Sequence, residues 1–372
     1  GFDTQGRQTA ARLRLRQDLD LDFGSGFTTH FQAQLNHVSG NQAFTSEPLK
    51  VRHAVLDYVT DRDLHLRGGL VPLSDRFGET LFSSEWDFSP LALAVDLPLG
   101  PGGLRVFAGN LAEGIEVDSD DDIVQYQGDY DMTLSEDLGL TVMGGVVTAP
   151  DGAGTGRTHA HFGAAADLAL SDALTLNGFI VGSRTDSELL GTADDGSGVA
   201  IKAELIGATE EWDYGVMVTH ASGGDDGSGF LPVMSLIGFQ GYWGYTGILT
   251  VQGPTDTGFD GDAVNVSNNG YGLTTVQGRF GLPLTSSLSG MVSAGWFGNT
   301  QAAGRDGQVG IDLLLMATQQ ITDVLALDFG LAGARLDDGV SGYTRGAAGG
   351  FNQGLDVRRD KWAAFLRLQA EY

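Results

Sequence analysis

The chain has no cysteine, little proline and no long apolar run, and each shortage removes a class of protein. The absence of cysteine from 372 residues removes disulfide frameworks, thiolate metal sites and cysteine nucleophiles, while leaving the compartment open. No stretch approaches the roughly 18 consecutive apolar residues of a membrane-crossing helix. A helical membrane protein is therefore excluded, although 41% of the residues are hydrophobic. Basic charge is also scarce: 21 Lys and Arg stand against 48 Asp and Glu, for a net charge of −27. That balance argues against nucleic acid as a partner and points to cations, or to hydration in high salt. The first residues show no charged stretch followed by an apolar one, so an exported protein would stand here in mature or trimmed form. Nucleophile elbows, phosphate loops, dinucleotide fingerprints and H-E-x-x-H pairs are missing too, which leaves a hydrolase without a motif.

What the chain does have is glycine, 57 residues against 9 prolines, which suits tight turns between strands that cannot tolerate proline. It also has alternation. In residues 12–23, Leu13, Leu15, Leu19, Leu21 and Phe23 share one parity, broken only by Gln17. Arg12, Arg14, Arg16, Asp18, Asp20 and Asp22 share the other. A strand sends alternate side chains to opposite faces, so this segment is a ribbon with one apolar and one charged side. Similar segments follow at 27–36, 52–59, 64–71, 91–97, 104–110, 124–134, 138–147, 160–170, 174–184, 199–208, 212–220, 271–282, 288–297, 309–318, 324–335 and 362–372. Residues 221–269 are irregular and read as one long extracellular excursion, with room for a hairpin at 231–252 and an open question of whether it plugs a pore.

Short turns and long polar links alternate strictly between these segments. That is the grammar of a transmembrane antiparallel meander β-barrel, with leucines in lipid, charges in a wet lumen, short periplasmic turns and long outside loops. The expected architecture is one all-β barrel domain over 1–372, with the C-terminus periplasmic. About seventeen strands are visible, and bacterial barrels close on even numbers. The expectation is therefore about eighteen strands with the first missing before Gly1; sixteen follows if one strand is split, and twenty if 231–252 supplies a hairpin.

The chain resembles Gram-negative outer-membrane porins. The likeness lies in the Arg-Leu-Arg-Leu-Arg opening at 12–16, in 51–58 and in 66–70, which look like early strands of that superfamily. The segments 269–273 and 310–313 look like late strands of its alginate-export and related porin groups. Two departures stand out: Tyr372 ends the chain where the family usually has Phe, and Gly310 replaces an acid often found two positions before Asp312.

The resemblance implies a charged eyelet. Arg12, Arg14, Arg16, Arg52, Arg67 and Arg105 lie on early strands, and with one strand added in front the link 72–90 becomes the third outside loop, the one that folds into porin lumens. It carries Asp75, Arg76, Glu79, Glu85 and Asp87, with Phe77, Phe82, Trp86 and Phe88 able to pack it against the wall. Opposed charges across a narrow wet constriction order dipolar solutes and slow apolar ones. The plainer reading makes the same arginines lumen lining paired with nearby Asp. Tyr58, Tyr126, Trp212, Tyr214, Trp362 and Tyr372 lie near strand ends on the lipid parity, as interface aromatics would. Asp118, Asp120 and Asp122 lie in an acidic run that could hold Ca²⁺, although it lacks the glycine and terminal acid of a calcium loop; no other cofactor is expected. His159 and His161 share a face but lack a third ligand, and read as lumen lining.

The expected function is passive diffusion of small hydrophilic solutes through the outer membrane, not enzymatic. Its partners would be outer-membrane lipids, lipopolysaccharide and small polar solutes, as a homotrimer or a monomer. The alternative is a structural barrel that sheathes or anchors a partner protein.

Overall fold

The computed structural model describes residues 11–39, 49–86, 88–112, 122–149, 157–186, 195–224, 227–236, 243–250, 264–301, 307–336 and 360–371. The described residues form seventeen strands. The first nine are β1 (Ala11–Gly24), β2 (Phe27–Ser39), β3 (Leu49–Val59), β4 (His65–Leu70), β5 (Leu91–Leu99), β6 (Gly102–Ala112), β7 (Ile123–Ser135), β8 (Leu138–Ala149) and β9 (Arg157–Ser171). The remainder are β10 (Leu174–Thr185), β11 (Gly196–Ala208), β12 (Asp213–Ala221), β13 (Leu273–Pro283), β14 (Leu288–Asn299), β15 (Gln308–Thr322), β16 (Leu325–Leu336) and β17 (Lys361–Ala370). Each strand pairs antiparallel with the next in sequence, from β1 with β2 through β16 with β17. The meander expected from the alternation is thus present. No described strand pairs β17 with β1, and the strand expected before β1 lies outside the described residues. The described residues between β12 and β13 contain no strand, and parts of the 231–252 hairpin candidate lie outside the described residues.

Alternate residues do take opposite faces. On β1 the outward residues Leu13, Leu15, Leu19, Leu21 and Phe23 are exposed. On β15, Ile311, Leu313 and Leu315 are exposed while Asp312 and Leu314 between them are fully buried. A belt of exposed leucine, valine, isoleucine and phenylalanine on most strands is unsuited to water and suited to hydrocarbon. Turn geometry sharpens the alternation: Gly24, Ser25 and Gly26 all have positive φ. A side chain at Gly26 would collide with the Val59 carbonyl, which closes the β1–β2 turn against the end of β3.

The buried set lies on the other face, and two links fill it. Link 71–90 folds inward: Val71, Leu73, Phe77, Leu81 and Phe82 are essentially inaccessible, each worth roughly 1.5–3 kcal/mol when fully buried. The Phe77 ring stacks on Phe179 of β10 at 5.5 Å. Phe82 meets Phe88 at 4.8 Å and the edge of Phe107 on β6 at 6.1 Å. The sheet is therefore curled so that one loop touches β6 and β10 together.

The second filling segment is the link between β12 and β13, which includes a one-turn helix, Val233–Leu236. Its described residues are not an outward excursion: they pack onto the inner wall. Phe230, Val233, Leu249 and Val266 are buried. The Asp312 carboxylate on β15 accepts the Ile248 and Leu249 N–H groups, each at 2.7 Å, and the Tyr245 N–H donates to Gln277 on β13 at 2.9 Å. The two inserted segments also meet. Met234 N–H donates to the Leu81 carbonyl at 3.0 Å, and the Trp243 indole N–H donates to Glu79 at 3.2 Å.

Candidate functional site

The ladder register on β1–β3 assembles a charged wall. Arg16 faces Gln34, which faces Lys50; Asp18 faces Gln32; Asp20 faces His30, which faces Val55; Asp22 faces Thr28, which faces Asp57. The β2–β3 register slips between Gln32 and Ala33, so Arg52 is an extra residue in β3. Such a bulge puts two neighbouring side chains against one partner. Arg52 donates to Gln32, while His53 Nδ1 lies 3.2 Å from His30 Nε2, and both Arg52 and His53 are buried.

Three of the predicted arginines hold the inserted loop. Arg16 donates to Gln34 at 2.9 Å and to Glu85 of the loop at 3.2 Å. Arg52 donates to the Ser84 carbonyl at 2.8 Å. Arg105 donates to Asp129 at 2.6 Å and to the Ser74 carbonyl at 2.8 Å. The guanidinium group suits this because its several donors form a fixed fork. From the loop side, Arg76 pairs with Asp131 on β7 at 3.2 Å. The loop is thus clamped at both ends of its inward run, with charges crossing in both directions.

The other predicted residues separate. Arg14 faces inward beside Arg16. Arg12 holds its strand position opposite Val38, and its side chain lies outside the described residues, as do the Trp86 side chain and Asp87. Arg67 pairs with Asp96 across the wall at 2.6 Å instead of meeting the loop. Asp75 corrects the eyelet expectation: it is buried inside its own loop, where it accepts N–H bonds from Phe77 at 2.6 Å, Leu81 at 2.5 Å and Phe82 at 2.8 Å. Burial pushes its carboxyl up to about 6, with the three N–H bonds opposing the rise. Glu79 differs as well, accepting from Ser83 at 2.5 Å and from Trp243. Among the described residues, the loop acid that reaches the β1 wall is Glu85.

Beneath the loop, toward the short-turn end, two cavities adjoin. One of about 430 Å³ is lined by Asp20, Asp22, His30, Asp57, Arg67 and Pro72, among others. A second of about 480 Å³ shares Asp57 and Arg67 and continues past Arg76, Asp96, Arg105 and Asp131. The open space is eccentric. Asp18, Asp20 and Asp22 on β1 are exposed, whereas Glu204, Thr219, Thr275, Gln277, Ser293 and Asp312 on β11–β15 are buried under the second segment. There, Glu204 pairs with Lys202 at 2.7 Å and accepts from the Tyr245 hydroxyl, whose ionisation burial pushes up.

The remaining expectations fall as follows. Tyr126, Trp212 and Trp362 are exposed on the outer face, and Tyr58 stacks on Phe27 at 4.2 Å. Tyr214 is half-buried, and Tyr372 lies outside the described residues. Asp118 and Asp120 also lie outside them. Asp122 is included, and no cluster of three His, Asp or Glu side chains able to hold a metal occurs among the described residues. His159 and His161 are buried and bond Thr185 and Gln127 of the wall, each at 2.8 Å. Sequence reasoning missed Gln34, Asp131, Trp243 and the anchoring use of Asp312. Asp312 was already legible as a lone acid on the inward parity of an apolar strand.

No family model and no curated protein matches the chain. Solved structures do. OccK5 (OpdH) of Pseudomonas aeruginosa aligns with a TM-score of 0.59 at 10% identity, covering 98% of this chain and 96% of that one. The fold is that of an outer-membrane porin. OccK11 (OpdR) of the same organism aligns with a TM-score of 0.56 at 12% identity over 98% of this chain and 95% of that porin. OpdK of P. aeruginosa, solved with vanillate, aligns with a TM-score of 0.53 at 11% identity over 97% and 92%. At these identities the porin likeness is one of architecture.

Proposed function

We propose that the chain is a passive outer-membrane channel for small hydrophilic solutes, with its constriction between link 71–90 and the β1–β3 wall. The observation that carries this reading is the clamped inward loop: Arg16 to Glu85, Arg52 to the Ser84 carbonyl and Arg105 to the Ser74 carbonyl hold charged groups beside polar, open space. Fixed opposite charges across a narrow aqueous gap favour hydrated and dipolar solutes over apolar ones. A belt of exposed apolar side chains on the other face suits a bilayer.

The sheath reading is the weaker one. The inner faces of β11–β15 are covered by the chain's own residues 227–236 and 243–250, which take volume a threaded partner would need. Purified protein in planar bilayers is expected to give ohmic, salt-dependent conductance. A folded barrel that inserts and stays non-conducting would refute the channel reading.

A further inference from the structure

The wall of the open crescent changes sign along the barrel axis, and it does so on one strand. Arg14 and Arg16 point inward from the first half of β1, and Asp18, Asp20 and Asp22 from the second. The neighbouring strands follow. Lys50 and Arg52 lie beside the basic rows, and Asp57 lies beside Asp22 through Thr28. The acidic rows are open, with the Asp20 side chain 75% exposed. Asp20, Asp22 and Asp57 line the cavity of about 430 Å³ beneath the loop. Asp57 Oδ1, in that cavity's wall, has no hydrogen-bond partner among the described residues. His30 is the basic group among these acids, 2.7 Å from Asp20 and 3.6 Å from Asp18. Arg67, also in the wall, is paired to Asp96.

We infer that the channel favours solutes carrying an anionic and a cationic group together, the class of amino acids and short peptides. This rests on the channel reading and names the solute class of the same constriction. A simple anion is attracted by the Arg14, Arg16, Lys50 and Arg52 rows, then meets the Asp18, Asp20, Asp22 and Asp57 rows. A simple cation meets the same sequence with the opposite sign. A dipolar solute aligned with the axis keeps one end matched at the transition between rows. The length scale agrees: same-face positions on a strand are separated by about 6.8 Å, roughly the charge separation of an extended dipeptide. Glu85 on Arg16 offsets part of the basic row from the loop side, and the remaining field is set by the wall.

The test is uptake of labelled glycylglycine, succinate and putrescine into proteoliposomes, each normalised to uptake of arabinose by the same preparation. The wild-type channel is expected to take glycylglycine faster than either single-sign ion. D20N/D22N should lower glycylglycine and putrescine uptake at least about threefold and raise succinate uptake. R14Q/R16Q should lower glycylglycine and succinate and raise putrescine. These directions follow from reversing attraction and repulsion at each row. The inference is overturned if either double variant still takes arabinose and leaves the glycylglycine ratio unchanged, or if wild type prefers succinate or putrescine. Absence of arabinose uptake by wild type would instead overturn the channel reading beneath it.

Discussion

Replacing Asp75 by Ala should loosen the constriction without unfolding the barrel. The carboxylate is buried and accepts the N–H groups of Phe77, Leu81 and Phe82. Removing it leaves three buried donors unsatisfied, at about 1–3 kcal/mol each. The lower part of that range applies because a detached loop tip can rehydrate, so a loss of about 4 kcal/mol is reasonable. That loss multiplies the unseated population roughly 10³-fold. The clamps at Ser74 and Ser84 do not involve Asp75, so residues 76–82 should detach while the loop stays tethered. In planar bilayers the variant is expected to show higher conductance and repeated transitions between open levels. Heat-dependent migration on a gel reports whether the barrel itself has folded. A folded variant with the wild-type conductance and the wild-type noise would refute the idea that this carboxylate holds the loop in place.

The same group gives a pH dependence. Its carboxyl sits at about 6 when seated, against 3.8 ordinarily, so the seated loop binds the proton more readily than a displaced one. Seating should strengthen as pH falls from about 6 to about 4 and be constant above that window, by about 3 kcal/mol in all at about 1.4 kcal/mol per unit. Open-level noise should fall over the same range, and a rise would contradict the assignment. Arg16→Gln should leave the loop seated, because the Arg16 and Glu85 side chains are 27% and 57% exposed and such a pair contributes at most about 1 kcal/mol. It should shift the reversal potential toward cations in a salt gradient; an unchanged potential would remove Arg16 from the permeation path. Because the chain has no cysteine, single cysteines map the path directly. Asp20→Cys should react quickly with a charged thiol reagent and reduce conductance, while Gln277→Cys, at a position 1% exposed, should be protected; equal reactivity would refute the eccentric pore.

Much of the fold was legible because a membrane barrel writes itself in parity. Lipid demands an apolar side chain at every second position, and Leu13 to Phe23 on β1 or Ile311 to Leu315 on β15 show the pattern without any tertiary knowledge. The inward fold of 71–90 was expected from the porin resemblance, with its aromatics read as able to pack it against the wall. The role of Asp75 was not, because its partners are backbone N–H groups of its own loop, and those have no signature in residue type. The inward fold of 227–236 and 243–250 was missed for a related reason. Glycine blurs its parity, and its anchors, Asp312 and Gln277, are far away in sequence. Arg52 and Tyr58 exposed a further limit. They share a parity, yet one was assigned to the lumen and the other to lipid, and only the extra residue in β3 reconciles them.

That extra residue divides β3 into two halves with opposite numbering. Before it, even positions such as Lys50 point inward; after it, odd positions such as Val55 and Asp57 do, while Leu56 turns outward and is exposed. Deleting Arg52 would therefore do more than remove a clamp. It would also merge the two halves into one regular register, with Val51 still opposite Ala33 and His53 still opposite Gln32; straightening the bulge with Arg52 kept is what would drive either Leu49 and Val51 into the lumen or Asp57 into lipid. Anyone redesigning this surface, to widen the pore or to change how it sits in a bilayer, would have to count from each end of β3 separately.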